Sequence, residues 1–167
     1  LKKIEVEEND IKKYYSNNPE YRTSQILLRL RAVPSAEEVA EAQEKSMKIY
    51  NELQKNPKSF PDYAKQYGQT STAVAGGDIG YQPKARLSPE YYENINGKKD
   101  GYITKPFRTQ FGIHIVMVTG KKEYKQIDQK LYKKILYDQK RDSILANYFE
   151  KSRKNAKINI NKKQLNL

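Results

Sequence analysis

His114 is the only histidine in this 167-residue chain, which contains no cysteine. It lies in the run Phe111-Gly112-Ile113-His114-Ile115-Val116, downstream of a glycine-rich segment, Gly76-Gly77-Asp78-Ile79-Gly80. The lack of thiols excludes disulfides, thiol catalysis and thiolate metal sites, and one histidine leaves too few ligands for structural zinc. The glycines do not form a phosphate loop, because no Lys-Ser/Thr follows at the right spacing and no helix opens there. Taken alone they read as a tight turn into a strand, where glycine provides positive φ or close packing. Two roles are open for His114, a catalytic hydrogen-bonding group and a satisfied structural histidine.

Both segments need elements to hold them. Glu5 to Ser16 reads as a short helix with Ile11, Tyr14 and Tyr15 on its apolar side, stopped by Asn17-Asn18-Pro19. Tyr21 to Leu30 reads as a strand, with Ile26, Leu28 and Leu30 on a core face and Gln25, Leu27 and Arg29 on the other. Ser35-Ala36-Glu37-Glu38 is a capping-box pattern that opens a helix over 36–55, ended by Asn56-Pro57. A shorter helix follows from Ser59-Phe60-Pro61-Asp62 through Tyr67, and the glycine run leads into a strand near Ile79–Tyr81. Ser88-Pro89 caps a helix through Tyr91, Tyr92 and Ile95. Two strands, Ile103–Phe107 and Ile113–Thr119, flank the Thr109–Gly112 connection. Beyond Gly120 the apolar positions Ile127, Leu131, Ile135, Leu136, Ile144, Leu145, Tyr148 and Phe149 trace a long helix, and Ala156–Ile160 reads as a terminal strand. This order implies an α+β domain with a mostly antiparallel sheet covered by helices.

The chain is polar, with 37% hydrophobic residues, but its 14 Tyr and 4 Phe supply core-sized side chains. No apolar run is long enough to span a membrane. Of the net charge of +12, residues 1–120 carry +3 and residues 121–167 carry +9. A basic end of this kind can attract nucleic acid, anionic lipid or acidic polypeptide, or can simply be a solvated helix face. No groove-reading motif accompanies it, so nucleic acid is not the expected partner.

The order of these segments resembles the parvulin family of peptidyl-prolyl cis/trans isomerases. Gln25-Ile26-Leu27-Leu28 is similar to that family's first strand, and the helices over 36–55 and 60–67 to its first two helices. Ala73-x-x-Gly76-Gly77-Asp78-Ile79-Gly80 is similar to its central signature, and Pro106…Thr109-Gln110-Phe111-Gly112-Ile113-His114-Ile115 to its closing one. The resemblance runs collinearly over 21–120 as a four-stranded isomerase domain. It leaves an N-terminal helical arm, 1–20, and a basic C-terminal arm, 121–167. These flanks resemble bacterial exported foldases of the SurA, PpiD and PrsA type. That likeness implies a periplasmic or otherwise exported location, unfolded or proline-containing polypeptide clients, and a piece of a longer chain.

The resemblance implies a reaction without cofactor or metal. Rotating an X–Pro bond breaks amide resonance against a barrier of about 18–20 kcal/mol, and no bond is made or cut. The catalyst must hold the twisted amide better than either planar form. By resemblance the proline pocket falls on Leu87, Tyr91 and Phe111, and the polar cluster around the carbonyl on His114, Thr109, Gln25 and Thr70. Gln25 stands where the family commonly has histidine, and Thr70 where it has cysteine or aspartate. Glutamine can donate and accept hydrogen bonds but cannot share a proton as imidazole does. Arg29, on the same strand face as Gln25, adds a basic rim to substrate binding. Two readings follow, an isomerase acting on unfolded exported proteins, or a weak or inactive parvulin-like module that binds unfolded polypeptide.

Overall fold

The structure, a computed structural model, describes residues 3–156. The expected terminal strand, Ala156–Ile160, therefore lies outside the described residues but for its first position. The chain divides into two compact units. The larger is Lys12–Ile127, and the smaller is formed by the segments before and after it.

The larger unit contains a four-stranded antiparallel sheet in the order β2-β1-β4-β3, made of β1 (Tyr21–Arg29), β2 (Asp78–Gln82), β3 (Phe107–Thr109) and β4 (Gly112–Lys121). Side chains alternate across a strand, so the central pair β1 and β4 serves two cores. On one face Ile26 and Ile115 pack with Ile103, with Ile49 and Leu53 of α2 (Ala36–Lys55), and with Phe60 and Ala64 of α3 (Phe60–Tyr67). On the other, Tyr21, Val116 and Val118 pack with Tyr91, Tyr92 and Ile95 of α4 (Pro89–Ile95). Each such aliphatic or aromatic side chain contributes about 1.5–3 kcal/mol by leaving water.

The start signals act as the sequence implies. The Glu38 N–H donates to Ser35 Oγ at 3.1 Å, and the Ser35 N–H donates to a Glu38 carboxylate oxygen at 2.6 Å. Ser88 Oγ accepts from the Tyr91 N–H at the head of α4, with Pro89 in the first turn.

Three boundaries differ. The first helix, α1 (Glu8–Asn17), starts later than Glu5, because the Glu7 N–H donates to the Asp10 carboxylate and fixes the turn there. The expected strand Ile103–Phe107 is instead an isolated bridge, Ile103 to Met117, followed by β3 at Phe107–Thr109. Pro106 has no N–H to give to a ladder. Just before it, Thr104 donates its N–H to the Val116 carbonyl and accepts the Val116 N–H on its hydroxyl. Ile127 lies outside the long helix, α5 (Gln129–Asn155), which begins after Asp128 caps the Lys130 and Leu131 N–H groups.

In the smaller unit, α5 buries Tyr132 and Leu136, and Lys140 donates to Asp10 at 2.7 Å and to the Glu5 carbonyl. Ile144, Leu145, Tyr148 and Phe149 are exposed. No helix of the described residues is long and apolar enough to cross a membrane.

Candidate active site

The site lies on the α4 face of the sheet. The register pairs Thr23 with Val118, Gln25 with Val116, Leu27 with His114 and Arg29 with Gly112. Directly opposed residues share a face, so Thr23, Gln25, Leu27 and Arg29 stand on the same side as His114. On the other side of β4, Phe107 of β3 pairs with His114.

His114 is 4% exposed and held from four directions. The Phe107 ring stacks nearly parallel at 5.4 Å, and the Tyr91 ring presents an edge at 5.6 Å. Nδ1 lies 3.2 Å from Gln25 Oε1, and Nε2 lies 2.7 Å from Thr109 Oγ1. An amide oxygen only accepts, so Nδ1 carries the proton and donates to Gln25. Nε2 then accepts from the Thr109 hydroxyl, whose oxygen in turn accepts the Phe111 N–H at 3.1 Å. The resulting chain runs from the Phe111 N–H through Thr109 and His114 to Gln25. Burial pushes the imidazole pKa down to about 4, so His114 is neutral at physiological pH.

The glycine run positions Gln25. Gly76 and Gly77 have φ of 73° and 82°, and the Gln25 N–H donates to the Gly77 carbonyl at 2.9 Å. A Cβ on Gly77 would overlap the Gln25 carbonyl oxygen. Asp78 pairs with Arg22 of β1 and accepts the Gly80 N–H. The Arg22 hydrogen bond holds its carboxyl below the usual carboxylate range.

The histidine chain borders a cavity of about 340 Å³, lined by Leu87, Tyr91, Ile79 and Phe111 on its apolar side and by Gln25, Thr109 and His114 on its polar side. Phe111 is 53% exposed and edges the opening. Thr70 lines the same cavity, but its hydroxyl bonds to Thr72 at 2.9 Å and not to the histidine chain. Arg29 also lines it, with Nε donating to the Gln69 carbonyl at 2.7 Å. Among the described residues no group of His, Asp and Glu is arranged to hold a metal ion.

The sequence model of the PPIC-type PPIase domain matches residues 9–122. The chain belongs to this peptidyl-prolyl isomerase family. The foldase protein PrsA of Geobacillus sp. is 30% identical over 171 aligned residues, covering 99% of this chain and 57% of that protein. The chaperone SurA of Saccharophagus degradans is 34% identical over 99 residues, 59% of this chain and 23% of the relative. The chain thus spans little more than half of one curated relative and about a quarter of the other. Among solved structures, a PpiC-type peptidyl-prolyl cis-trans isomerase domain superposes with a TM-score of 0.58 at 29% identity, covering 64% of this chain and 94% of that one. PrsA from Bacillus anthracis superposes with a TM-score of 0.62 at 27% identity, covering 93% and 68%. The four-stranded α+β fold is therefore the parvulin fold.

Within this parvulin-type domain the residue patterns alone do not mark Thr23, Ile79, Arg86 or Phe107 as site residues, whereas the structure places them at the cavity or against His114 and Tyr91. Thr23 was detectable by alternation, since it stands two residues before Gln25 on the same face. Its buried hydroxyl lies 2.9 Å from the Tyr91 hydroxyl. Burial pushes the Tyr91 phenol pKa upward, which the Thr23 hydrogen bond partly opposes. Thr23→Val removes this partner and is expected to cost about 1–3 kcal/mol by leaving a buried hydroxyl unsatisfied. Adding Tyr91→Phe should return most of that loss in urea denaturation. A double variant as unstable as Thr23→Val alone would show that the hydroxyl pair is not the cause.

Proposed function

We propose that the protein is a peptidyl-prolyl cis/trans isomerase that acts on X–Pro bonds of unfolded polypeptides by non-covalent stabilisation of the twisted amide. The observation that carries this reading is one cavity with an apolar wall of Leu87, Tyr91 and Phe111 facing the Thr109–His114–Gln25 chain. The pyrrolidine ring takes the apolar wall. The carbonyl before it, freed from resonance as it rotates, takes hydrogen bonds from the polar side. Gln25 is the suited donor: its oxygen is occupied by His114, and its amide N–H groups have no protein partner among the described residues. His114 fixes that orientation, and Thr109 fixes His114. These are positioning tasks, which a neutral imidazole performs as well as a titrating one. Each tenfold of rate needs about 1.4 kcal/mol of preference for the twisted form.

The likeness to proteins named foldase and chaperone supports a foldase role, which we extend to exported clients. A second reading, binding of unfolded chains with little turnover, is favoured by Thr70, whose hydroxyl is engaged with Thr72 and supplies nothing to the histidine chain. NMR exchange spectroscopy on a short Ala-Pro peptide separates the two. The isomerase reading expects cis/trans exchange to accelerate with added protein, and His114→Ala and Leu87→Ala each to lower the rate at least tenfold. No acceleration at high protein concentration leaves the binding module, and unchanged rates in both variants would refute the site.

A further inference from the structure

Asn96 and Gly97, just after α4, carry chemistry of their own outside the proline cavity. The backbone nitrogen that follows an asparagine can attack its side-chain amide, and glycine, with no Cβ, hinders that attack least. The nitrogen loses its proton and bonds to Cγ, and ammonia leaves to give a five-membered succinimide. Water then opens the ring at either carbonyl, yielding aspartate or isoaspartate. Both residues are exposed, and nothing stands within 4 Å of where a Gly97 Cβ would lie.

The fold holds the reacting groups apart. Asn96 has φ −62° and ψ 131°, Gly97 has φ 76°, and the Lys98 N–H donates to the Ile95 carbonyl at 3.1 Å. This is a type II turn with glycine at its third position. Ring closure needs the Gly97 nitrogen nearly eclipsed with Asn96 Cβ. At a ψ of 131° the tetrahedral geometry of Cα sets that nitrogen well away from Cβ. One side chain locks the turn. Tyr21, buried at the start of β1, accepts the Gly97 N–H on its hydroxyl at 2.9 Å and donates to Asn96 Oδ1 at 3.3 Å. Donation to Oδ1 draws electrons from Cγ, but attack still waits on rotation of ψ, which breaks the turn and the bond from Gly97 to Tyr21. We propose that Asn96 is a site of spontaneous deamidation, kept closed in the folded domain by Tyr21 and exposed by local opening. The change locks itself in, because isoaspartate carries an extra methylene in the main chain and the type II turn cannot re-form around it.

The test incubates the purified protein at mildly alkaline pH and follows the peptide spanning Asn96 by mass spectrometry, with the isoaspartate isomer resolved by chromatography. The wild type is expected to convert about tenfold more slowly, or slower still, in buffer than in urea that unfolds it. Tyr21→Phe keeps the ring and removes both hydrogen bonds. It is expected to convert roughly two- to tenfold faster than the wild type in buffer, the range for modest hydrogen bonds, and at the wild-type rate in urea. Thr23→Val, which strips a partner from Tyr91 and leaves the turn alone, controls for global unfolding. Equal wild-type rates in buffer and urea, a Tyr21→Phe rate no faster than the wild type, or a difference that persists in urea would overturn the proposal. So would equal acceleration by Thr23→Val, which makes global unfolding the gate in place of Tyr21.

Discussion

Gly77→Ala is expected to destabilise the domain by about 4 kcal/mol or more, a large share of the 5–15 kcal/mol typical of a folded domain. Two effects combine. The positive φ of 82° costs an L-residue about 1–2 kcal/mol. The new Cβ would also overlap the Gln25 carbonyl oxygen, which is backbone of the central strand and cannot swing aside. Relief requires separating Gly77 from β1, and that breaks the hydrogen bond from the Gln25 N–H to the Gly77 carbonyl. Gly80→Ala is the control, since Gly80 has a similar φ of 69° and open space where a Cβ would go. Its expected cost is only the conformational 1–2 kcal/mol or so. Urea denaturation of the two variants checks this, and equal losses would show that close approach to β1 is not what glycine serves at position 77.

That contrast bears on how far sequence reaches. The glycine run is readable as a turn, but the demand at Gly77 is set by Gln25, a distant residue in the chain that no local pattern connects to it. Helix starts governed by adjacent residues, such as Ser35 with Glu38 and Ser88 with Pro89, are legible because the partners sit within four positions. Alternation before Phe107 implies a strand that the structure does not form, because Thr104 satisfies Val116 through its side chain as well as its backbone, which local alternation does not register. At the site, the family resemblance brings Gln25, Thr109 and His114 to notice, yet the spacing of β1 and β4 residues does not say which atoms meet. The register does, by setting Leu27 opposite His114 and so placing Gln25 one pair along on the same face. Phe107 and Thr23 acquire their roles only through that pairing and the packing of α4. Arg86 carries no periodic signal, because it lies in a tight turn.

His114 should make the domain acid-sensitive in a defined window. Burial lowers its folded-state pKa to about 4, against about 6.5 in the unfolded chain. Above 6.5 both states hold a neutral ring and the residue contributes no pH dependence. Between 6.5 and 4 the unfolded chain takes up a proton that the folded one resists, so stability falls as pH falls and the loss is complete near pH 4. The size is about 3 kcal/mol, from roughly two and a half pKa units at 1.36 kcal/mol each. Carboxylates add their own acid losses, so the readout is a difference. Urea denaturation from pH 7 to 4 is expected to show the wild type losing about 3 kcal/mol more than His114→Gln, which has no imidazole to protonate. Parallel losses would mean that the ring is not held neutral by burial. Since His114 is the only histidine, its ring proton resonances need no further assignment, and in the folded protein they should stay constant from pH 8 to about 5. Over the same range isomerisation should be flat with pH, because a neutral ring that orients Gln25 has no proton to gain or lose there. A rate that follows a midpoint near 6.5 would instead give His114 a titrating part in the reaction.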